Sequence, residues 1–522
     1  MGKSIVKATG VILVVNMLVK ILGFLRESFI ANAYGAGALT DAYQIAYTIP
    51  YFLQAILGYA LVTAVVPVLT KHLVKNDTKE AWYVGSCAIN ITAVGLTAIT
   101  VVGIAVTAII VKLLAPGFDA DLAELTVQLT RIMFPSVVFM GVGMVLTGIA
   151  NASYKFGVGA FAPGFSNLII ICSVVIFASS VGIWGLAVGT LVSFIGFFLI
   201  QIPVLWKIGF KYSFVLGLKH PDVKQIIHDI IPIILGVAVN QICFAVNRIF
   251  GSMLAEGTIS YLNYASKLMM LPIGIFVNAV AYAIYPSLSE MALKKDFSQM
   301  AGTLKRGIGM VCLVAIPAAV GLCALAEPIV QIVYERGSFD HAATLATTWA
   351  LMCFCVGLVP ISVNMVLTRA FYALEDVKTP VIIGGAIILI DVALSFALFK
   401  VMEYGGSGLA LANSLALLAG TIFMYFYLKR KTLPDLKEGN LFVSLVKMFV
   451  AAGVMAASVV AVRFVLKFAG LDLATTHGAL ILVVIGICVG VAVYGIMIFA
   501  LKLEETQMVL DVLKRKLKRN KA

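Results

Sequence analysis

A succession of long apolar segments constrains this chain more than any other feature. Val94 to Val111 and Leu480 to Leu501 contain nothing more polar than Thr or Tyr, and about 20 apolar residues suffice for an α-helix to cross the hydrocarbon core of a bilayer. Such segments recur fourteen times, at approximately 8–33, 39–70, 81–114, 123–151, 160–180, 183–206, 227–254, 258–290, 302–334, 343–373, 378–400, 406–429, 441–468 and 475–502. Strands of a transmembrane barrel would alternate apolar and polar residues, which these do not. The expected fold class is therefore an all-α integral membrane protein with 14 transmembrane helices. Composition agrees, since 61% of the residues are hydrophobic and only 12% charged, against roughly a quarter charged in a soluble domain. Fourteen spans leave no room in 522 residues for a large soluble domain.

In a soluble protein the net charge of +13 would raise the question of nucleic acid. Here what matters is where the basic residues lie. Counted by loop with the N-terminus cytoplasmic, 26 of the 38 Lys and Arg fall on the cytoplasmic side and four outside (Lys112, Arg336, Lys400, Lys467). That bias predicts both termini in the cytoplasm and no nucleic-acid partner. The run Lys514 to Lys521 reads as a juxtamembrane anchor to anionic membrane lipids. No removable signal peptide is expected at the N-terminus.

The chain also repeats itself. Pro67-Val68-Leu69 answers Pro286-Ser287-Leu288, Pro163 answers Pro380, and Gly185-Leu186-Ala187 answers Gly408-Leu409-Ala410. Three matches in order at nearly one offset argue for two six-helix halves. An even number of helices per half makes them parallel repeats, which can enclose a central cavity. The expected organisation is 1–215 and 216–432 as two six-helix lobes, 433–503 as two appended helices, and 504–522 as a basic cytoplasmic tail.

Eight basic residues remain inside the predicted spans: Lys20, Arg26, Arg131, Arg248, Lys267, Arg369, Lys447 and Arg463. Each would cost roughly 2.5–3.5 kcal/mol at a helix centre. Arg131, Lys447 and Arg463 lie near helix ends and can snorkel. The other five need a partner, water or a ligand. In the first segment Asn16, Lys20, Gly23 and Glu27 share one helical face with Arg26 on its edge. In the second, Asp41, Gln44, Thr48, Tyr51 and Gln54 form a stripe, with Pro50 inviting a kink. The seventh adds Asn240, Gln241, Asn247 and Arg248, and the eighth aligns Asn263, Lys267, Asn278 and Tyr282. One account pairs these charges for packing, Lys20 with Glu27 or Arg369 with Glu375. The other leaves unpaired cations facing a cavity, where Arg by its fork and Lys as a point charge suit phosphate or pyrophosphate. Asp391, alone among Ile387, Ile388, Leu389, Ile390 and Val392, is either a coupling-ion or proton site or an acid held in the packing.

Nothing in the sequence reads as an enzyme. The eight cysteines (Cys87, Cys172, Cys243, Cys312, Cys323, Cys353, Cys355, Cys488) fall in apolar segments and read as small packing residues. The five histidines sit in loops or at helix ends without a paired metal spacing, and no GxSxG, P-loop or HExxH is present. Gly35-Ala36-Gly37 reads as an exposed turn. The acidic Asp119, Asp121 and Glu124, which a membrane glycosyltransferase would need, lack a His or metal partner in the sequence. No metal site and no cofactor are expected, and transport would draw on Na+, H+ or the membrane potential.

Several short motifs share a pattern: Leu22-Gly23-Phe24-Leu25-Arg26-Glu27, Tyr34-Gly35-Ala36-Gly37 with Thr40-Asp41-Ala42, and Val66-Pro67-Val68-Leu69. To these add Ala115-Pro116-Gly117-Phe118, Phe161-Ala162-Pro163 with Asn167, Ile234-Leu235-Gly236-Val237, Tyr264-Ala265 before Lys267-Leu268-Met269, and Phe371-Tyr372 before Lys378-Thr379-Pro380. Together they resemble the MurJ (MviN) lipid II flippases of the MOP exporter superfamily, collinearly over roughly residues 10–430, while the last two helices match mainly in number. The resemblance implies two six-helix lobes around a V-shaped cavity in the bacterial plasma membrane. It also implies two extra helices forming a groove for a lipid tail, and movement of the undecaprenyl-pyrophosphate-linked peptidoglycan precursor to the outer leaflet for cell-wall synthesis. Departures from the family's Proteobacterial pattern fall at Val19-Lys20 (Ser-Arg in that pattern), Gln54 (Arg), Tyr59 (Glu) and Ser266-Lys267 (Asp-Arg). Lys20, Arg26 and Lys267 keep positive charge and Gln54 loses it. The family's sodium site, with acids in the seventh and eleventh helices, corresponds to Asn247 and Asp391.

The expected function is alternating-access flipping of lipid II or a related polyprenyl-pyrophosphate glycolipid. Lys20, Arg26, Glu27, Asp41, Gln54, Lys267 and Arg369 are its candidate headgroup residues, Asn247 and Asp391 a candidate coupling-ion site, and cell-wall synthesis proteins candidate partners. The alternatives are a flippase for another polyprenyl-linked oligosaccharide, a drug/cation antiporter, whose cationic substrates this cavity would repel, and a non-transporting scaffold.

Overall fold

The computed structural model describes residues 2–398, 405–433, 439–503 and 505. The proposed lipid anchor Lys514 to Lys521, together with Lys400 and Lys437, lies outside the described residues, as do the side chains of Asn240 and Tyr59. Among the described residues the elements are helices and there is no strand.

The helices fall into two compact units. The first comprises Met1–Ser260 with Arg336–Phe339 and contains α1 (Gly2–Tyr34), α2 (Ala38–Val74), α3 (Thr78–Leu114), α4 (Ala120–Met133), α5 (Ser136–Ala152), α6 (Phe156–Phe177), α7 (Ile183–Leu199), α8 (Ile202–Lys207) and α9 (Pro221–Ser252). Helix α10 (Thr258–Pro272) begins there and continues into the second unit. That unit goes on through a π-helical turn (Ile273–Val277) to α11 (Asn278–Leu293), α12 (Phe297–Ala324), α13 (Ala326–Tyr334), α14 (His341–Ala373), α15 (Lys378–Leu398), α16 (Gly405–Lys431), α17 (Gly439–Phe468) and α18 (Thr476–Ala500).

Each of the fourteen expected segments coincides with a helix or a pair of consecutive helices. Among the described residues twelve of these are long and apolar enough to cross a membrane. The protein is a multi-pass membrane protein. The breaks within segments have local causes. Pro135, the residue before α5, has no N–H to continue α4, and the π-helical turn follows Pro272 directly. Helix starts are fixed by side-chain acceptors: Asp77, Asp119, Asp296, Asp340 and Thr475 each accept from a backbone N–H one turn on, satisfying donors that an α-helix leaves orphaned.

The internal repeat reappears as a packing pattern within each unit. In the first, α2 packs on α3 and α5, α3 on α5, α5 on α7, and α6 on α7. In the second, α11 packs on α12 and α14, α12 on α14, α14 on α16, and α15 on α16. The first helices of the two repeats behave differently: α1 packs on α6, whereas α9 packs on α2 and α3, burying Val223 and Ile226 in the core that Leu61, Val65, Trp82 and Ile149 build. The first unit therefore runs past residue 215 to Ser260. Helices α17 and α18 pack on each other, α17 on α12 and α18 on α13.

Two expectations change here. Cys87, Cys312, Cys353 and Cys355 are buried as packing residues, but Cys172 and Cys488 are exposed on their helices. The Gly35 turn, expected to be exposed, is packed: Gly35 is buried and the Ser338 N–H donates to Asn32 O at 3.0 Å. With φ at +68° and Ser338 O only 2.3 Å from where a Cβ would stand, only glycine fits at 35.

Candidate functional site

In the first unit the charges singled out from the sequence within the spans, helix ends aside, lie on α1, α2 and α9. Arg26, with a side chain only 15% exposed, is paired with buried Glu27 and donates from Nη1 to Asn167 Oδ1 of α6 at 3.1 Å. Its guanidinium carbon lies 5.8 Å from the ring centroid of Tyr47, inside cation–π range. Tyr43, Tyr47 and Tyr51 follow one another along α2 with centroids 5.9 and 6.1 Å apart. They recur every fourth residue, the spacing that stacks side chains on a helix face. Arg26 Nε is buried without a hydrogen-bond partner. About a turn and a half before it, Lys20 is exposed, as is Asn16 further back. The predicted stripe is thus graded, from exposed cation at Lys20 to buried ion pair at Arg26 and Glu27.

Asp41 is buried and fully engaged. Its two carboxylate oxygens accept from Gly257 N–H at 2.8 Å, from Ser260 N–H at 2.7 Å, and from the Ser260 hydroxyl. It therefore caps the start of α10 from another helix. Gln44 and Thr48 are buried beside it, so this part of the α2 stripe is interior, while Gln54 is half-buried. Arg248 donates from Nη1 to Ile259 O at 3.3 Å, and its neighbour Asn247 is half-buried.

In the second unit Lys267 is half-buried on α10, one turn from Tyr264, whose ring packs 4.8 Å from that of Tyr334. Arg369 on α14 does not take Glu375 as partner. Its guanidinium instead lies over Tyr282 at 4.8 Å and Tyr285 at 5.8 Å. Glu27, the partner suggested for Lys20, pairs with Arg26. Asp391 is 1% exposed and accepts from Asn413 Nδ2 at 3.2 Å and Ser395 Oγ at 3.5 Å.

Of the three charges assigned to helix ends, Arg131 is exposed, Arg463 bonds Glu327 at 2.9 Å, and Lys447 Nζ donates to Leu501 O at 3.0 Å. Between them, α12, α14, α16 and α17 leave an apolar groove of about 1120 Å3 lined by residues such as Ile316, Val359, Phe426, Leu445 and Phe449. Its walls offer almost no hydrogen-bonding group, so it suits a hydrocarbon chain.

Known proteins match this arrangement closely. The profile of the family described as Lipid II flippase MurJ matches residues 30–489. The chain belongs to the MurJ lipid II flippase family. Among curated relatives, the Lipid II flippase MurJ of Burkholderia cenocepacia is 30% identical over 452 residues, covering 84% of this chain and 87% of that one. The Probable lipid II flippase MurJ of Vibrio cholerae is 30% identical over 453 residues, covering 83% and 86%. A solved structure of Lipid II flippase MurJ in an inward closed conformation superposes with a TM-score of 0.77 at 26% identity, covering 94% of this chain and 99% of that one. An inward-facing MATE transporter of the MOP superfamily, 15% identical, shares the fold with a TM-score of 0.68. The family profile reaches into α18, so α17 and most of α18 belong to the match and do not merely agree in number.

Asn167, Tyr43 and Tyr47 join the Arg26 site without having been singled out for it from charge patterning. The tyrosine ladder is readable from its four-residue spacing; the Asn167 contact, 141 residues away in the chain, is not.

Proposed function

We propose that this protein moves lipid II from the cytoplasmic to the outer leaflet by alternating access, with Lys20, Arg26 and Lys267 receiving the pyrophosphate. The observation that carries the reading is the family match over residues 30–489, joined to cations in helices that a membrane would otherwise exclude. Arg26 is held ready by Glu27 and Asn167, and Lys20 stands exposed a turn and a half away on the same helix. Together they offer one forked and one point donor to a diphosphate.

The apolar groove beside α17 takes the polyprenyl tail, so headgroup and tail are received by different parts of the chain. Both termini are cytoplasmic in this proposal, placing the 26 cytoplasmic basic residues where anionic lipid headgroups lie. Energy comes from the membrane potential or a cation gradient, with Asp391 and Asn247 as the residues to probe for ion coupling.

The test is complementation of a bacterium depleted of its own flippase. Wild-type protein restores growth, while Arg26→Ala and Lys267→Ala insert normally and fail to restore it. Full complementation by both variants would refute the cation mechanism. Growth restored only in a strain lacking a different polyprenyl-glycan flippase would favour that substrate class.

A further inference from the structure

We propose that Tyr282, Tyr285 and Arg369 form a carbohydrate platform on which a pyranose ring of the lipid-linked headgroup stacks. This inference rests on the flippase reading above and assigns the sugar-recognising part of the site.

The two tyrosines lie three residues apart on α11, so they share a helix face, and Arg369 reaches them from α14 with its guanidinium carbon 4.8 and 5.8 Å from the ring centroids. Both distances are within cation–π range. Among the described residues Arg369 forms no ion pair with a carboxylate, so the aromatic faces are what hold its charge. A guanidinium lying over a ring keeps its in-plane N–H donors free for other acceptors.

Tyr282 is 61% exposed although it lies within a membrane-spanning helix. What surrounds it tells which solvent it meets. Between Ala279 and Glu290 the exposed residues of α11 are Ala279, Tyr282, Ala283, Pro286, Ser287 and Glu290, one continuous face at helical spacing, with large apolar residues exposed only beyond it, Ile275 and Phe276 in the preceding π-helical turn and Leu293 at the helix end. Apart from Tyr282 the residues of this face are small or polar. Exposed faces of other spanning helices look different: α15 shows Ile382, Leu389 and Phe396, and α17 shows Val450, Phe464 and Val465. This stretch of α11 is therefore a water-facing one, carrying a single large ring.

An aromatic ring with one face on a guanidinium and the rest open to water matches the chemistry of a sugar. A pyranose has a face of apolar C–H bonds, which an aromatic ring desolvates favourably, and a rim of hydroxyl and acyl oxygens, which accept from guanidinium N–H groups. A bare phosphate would use the charge and leave the exposed ring without a role. The platform therefore selects for glycosylation of the lipid, as a complement to the pyrophosphate cations assigned above.

The experiment measures binding to full-length protein in lipid nanodiscs by native mass spectrometry. Two probes are compared: undecaprenyl pyrophosphate bearing a disaccharide, and undecaprenyl pyrophosphate without sugar. Wild type is expected to prefer the glycosylated lipid. Tyr282→Leu and Arg369→Gln are each expected to weaken the glycosylated lipid about tenfold, equivalent to about 1.4 kcal/mol, with the sugar-free lipid following wild type. Tyr282→Phe, which keeps the ring, restores the preference. Because Tyr282 is exposed, its replacement opens no cavity, so Tyr282→Leu decides the matter even if Arg369→Gln fails to fold. Equal weakening of both lipids would make the three residues a mere tie between α11 and α14 and overturn the platform, as would an undiminished preference in Tyr282→Leu or equal binding of both lipids by wild type. A wild-type protein that binds neither lipid would instead overturn the flippase reading.

Discussion

Arg26 is ion-paired in the packing, the first of the two accounts its sequence position allowed, and an exposed cation, Lys20, precedes it on the same helix. Its fork reaches Glu27 and Asn167 at once, a geometry that an ammonium cannot reproduce. Arg26→Lys is accordingly expected to insert and fold but to support markedly less flipping than wild type, as outer-leaflet lipid II labelling would read. Asp41 makes a different kind of contribution. Removing its carboxylate leaves the first N–H groups of α10 without their acceptor, so Asp41→Ala should destabilise the protein by about 0.5–2 kcal/mol, seen as a lower thermal unfolding midpoint in detergent, with Asp41→Asn intermediate. Isolated charges such as Lys20, Arg26, Lys267 and Asp391 were legible in the sequence because a membrane span has so few of them. Their partners were not. Asp41 reads as a polar-stripe residue, and only the fold shows Gly257 and Ser260 delivering three donors to it.

Helix α9 is held at its start by charges from three elements. Asp222 accepts from His72 at 2.8 Å and Lys71 at 3.4 Å, both on α2, while His220 bonds Glu80 of α3 at 2.6 Å. Burial alone would raise the Asp222 carboxyl, but the bonds from His72 and Lys71 outweigh it and hold it below the usual carboxylate range. A carboxylate depressed in this way adds stability above its unfolded value of about 4, and that stability is lost as the pH falls through the lower folded value. The amides at the start of α9 should thus stay protected against hydrogen exchange from neutral pH down to about 4 and open below it, while Asp222→Asn should weaken protection already at neutral pH. The helix itself was legible as an apolar segment, but its attachment was not, since His72 and Asp222 are 150 residues apart. The groove poses the same problem: each wall reads only as an apolar helix. Ala456 lines it from α17, and Ala456→Trp should fill it, slowing the handling of a long polyprenyl lipid more than of a short-chain analogue in a reconstituted transport assay.

At the scale of the whole molecule the all-helical class and the order of the apolar segments were legible, because hydropathy alone demands helices in lipid. The repeat was legible too, from three short motifs, and it returns as matching helix packing within each unit. Where α9 would pack was not legible, since its pattern is equally apolar whichever helices cover it. The orientation carries its own prediction. In intact cells a membrane-impermeant maleimide should label Asp121→Cys, exposed in the first turn of α4 at the end assigned to the outside, and should label Lys75→Cys only after permeabilisation. The central claim, that cations in the spans carry lipid II across, is tested most directly by measuring lipid II exposed at the outer leaflet of cells depleted of their own flippase. Supplying this protein should restore that exposure, and supplying Arg26→Ala or Lys267→Ala at equal membrane abundance should not. Exposure restored equally by wild type and both variants, or left unrestored by wild type, would contradict it.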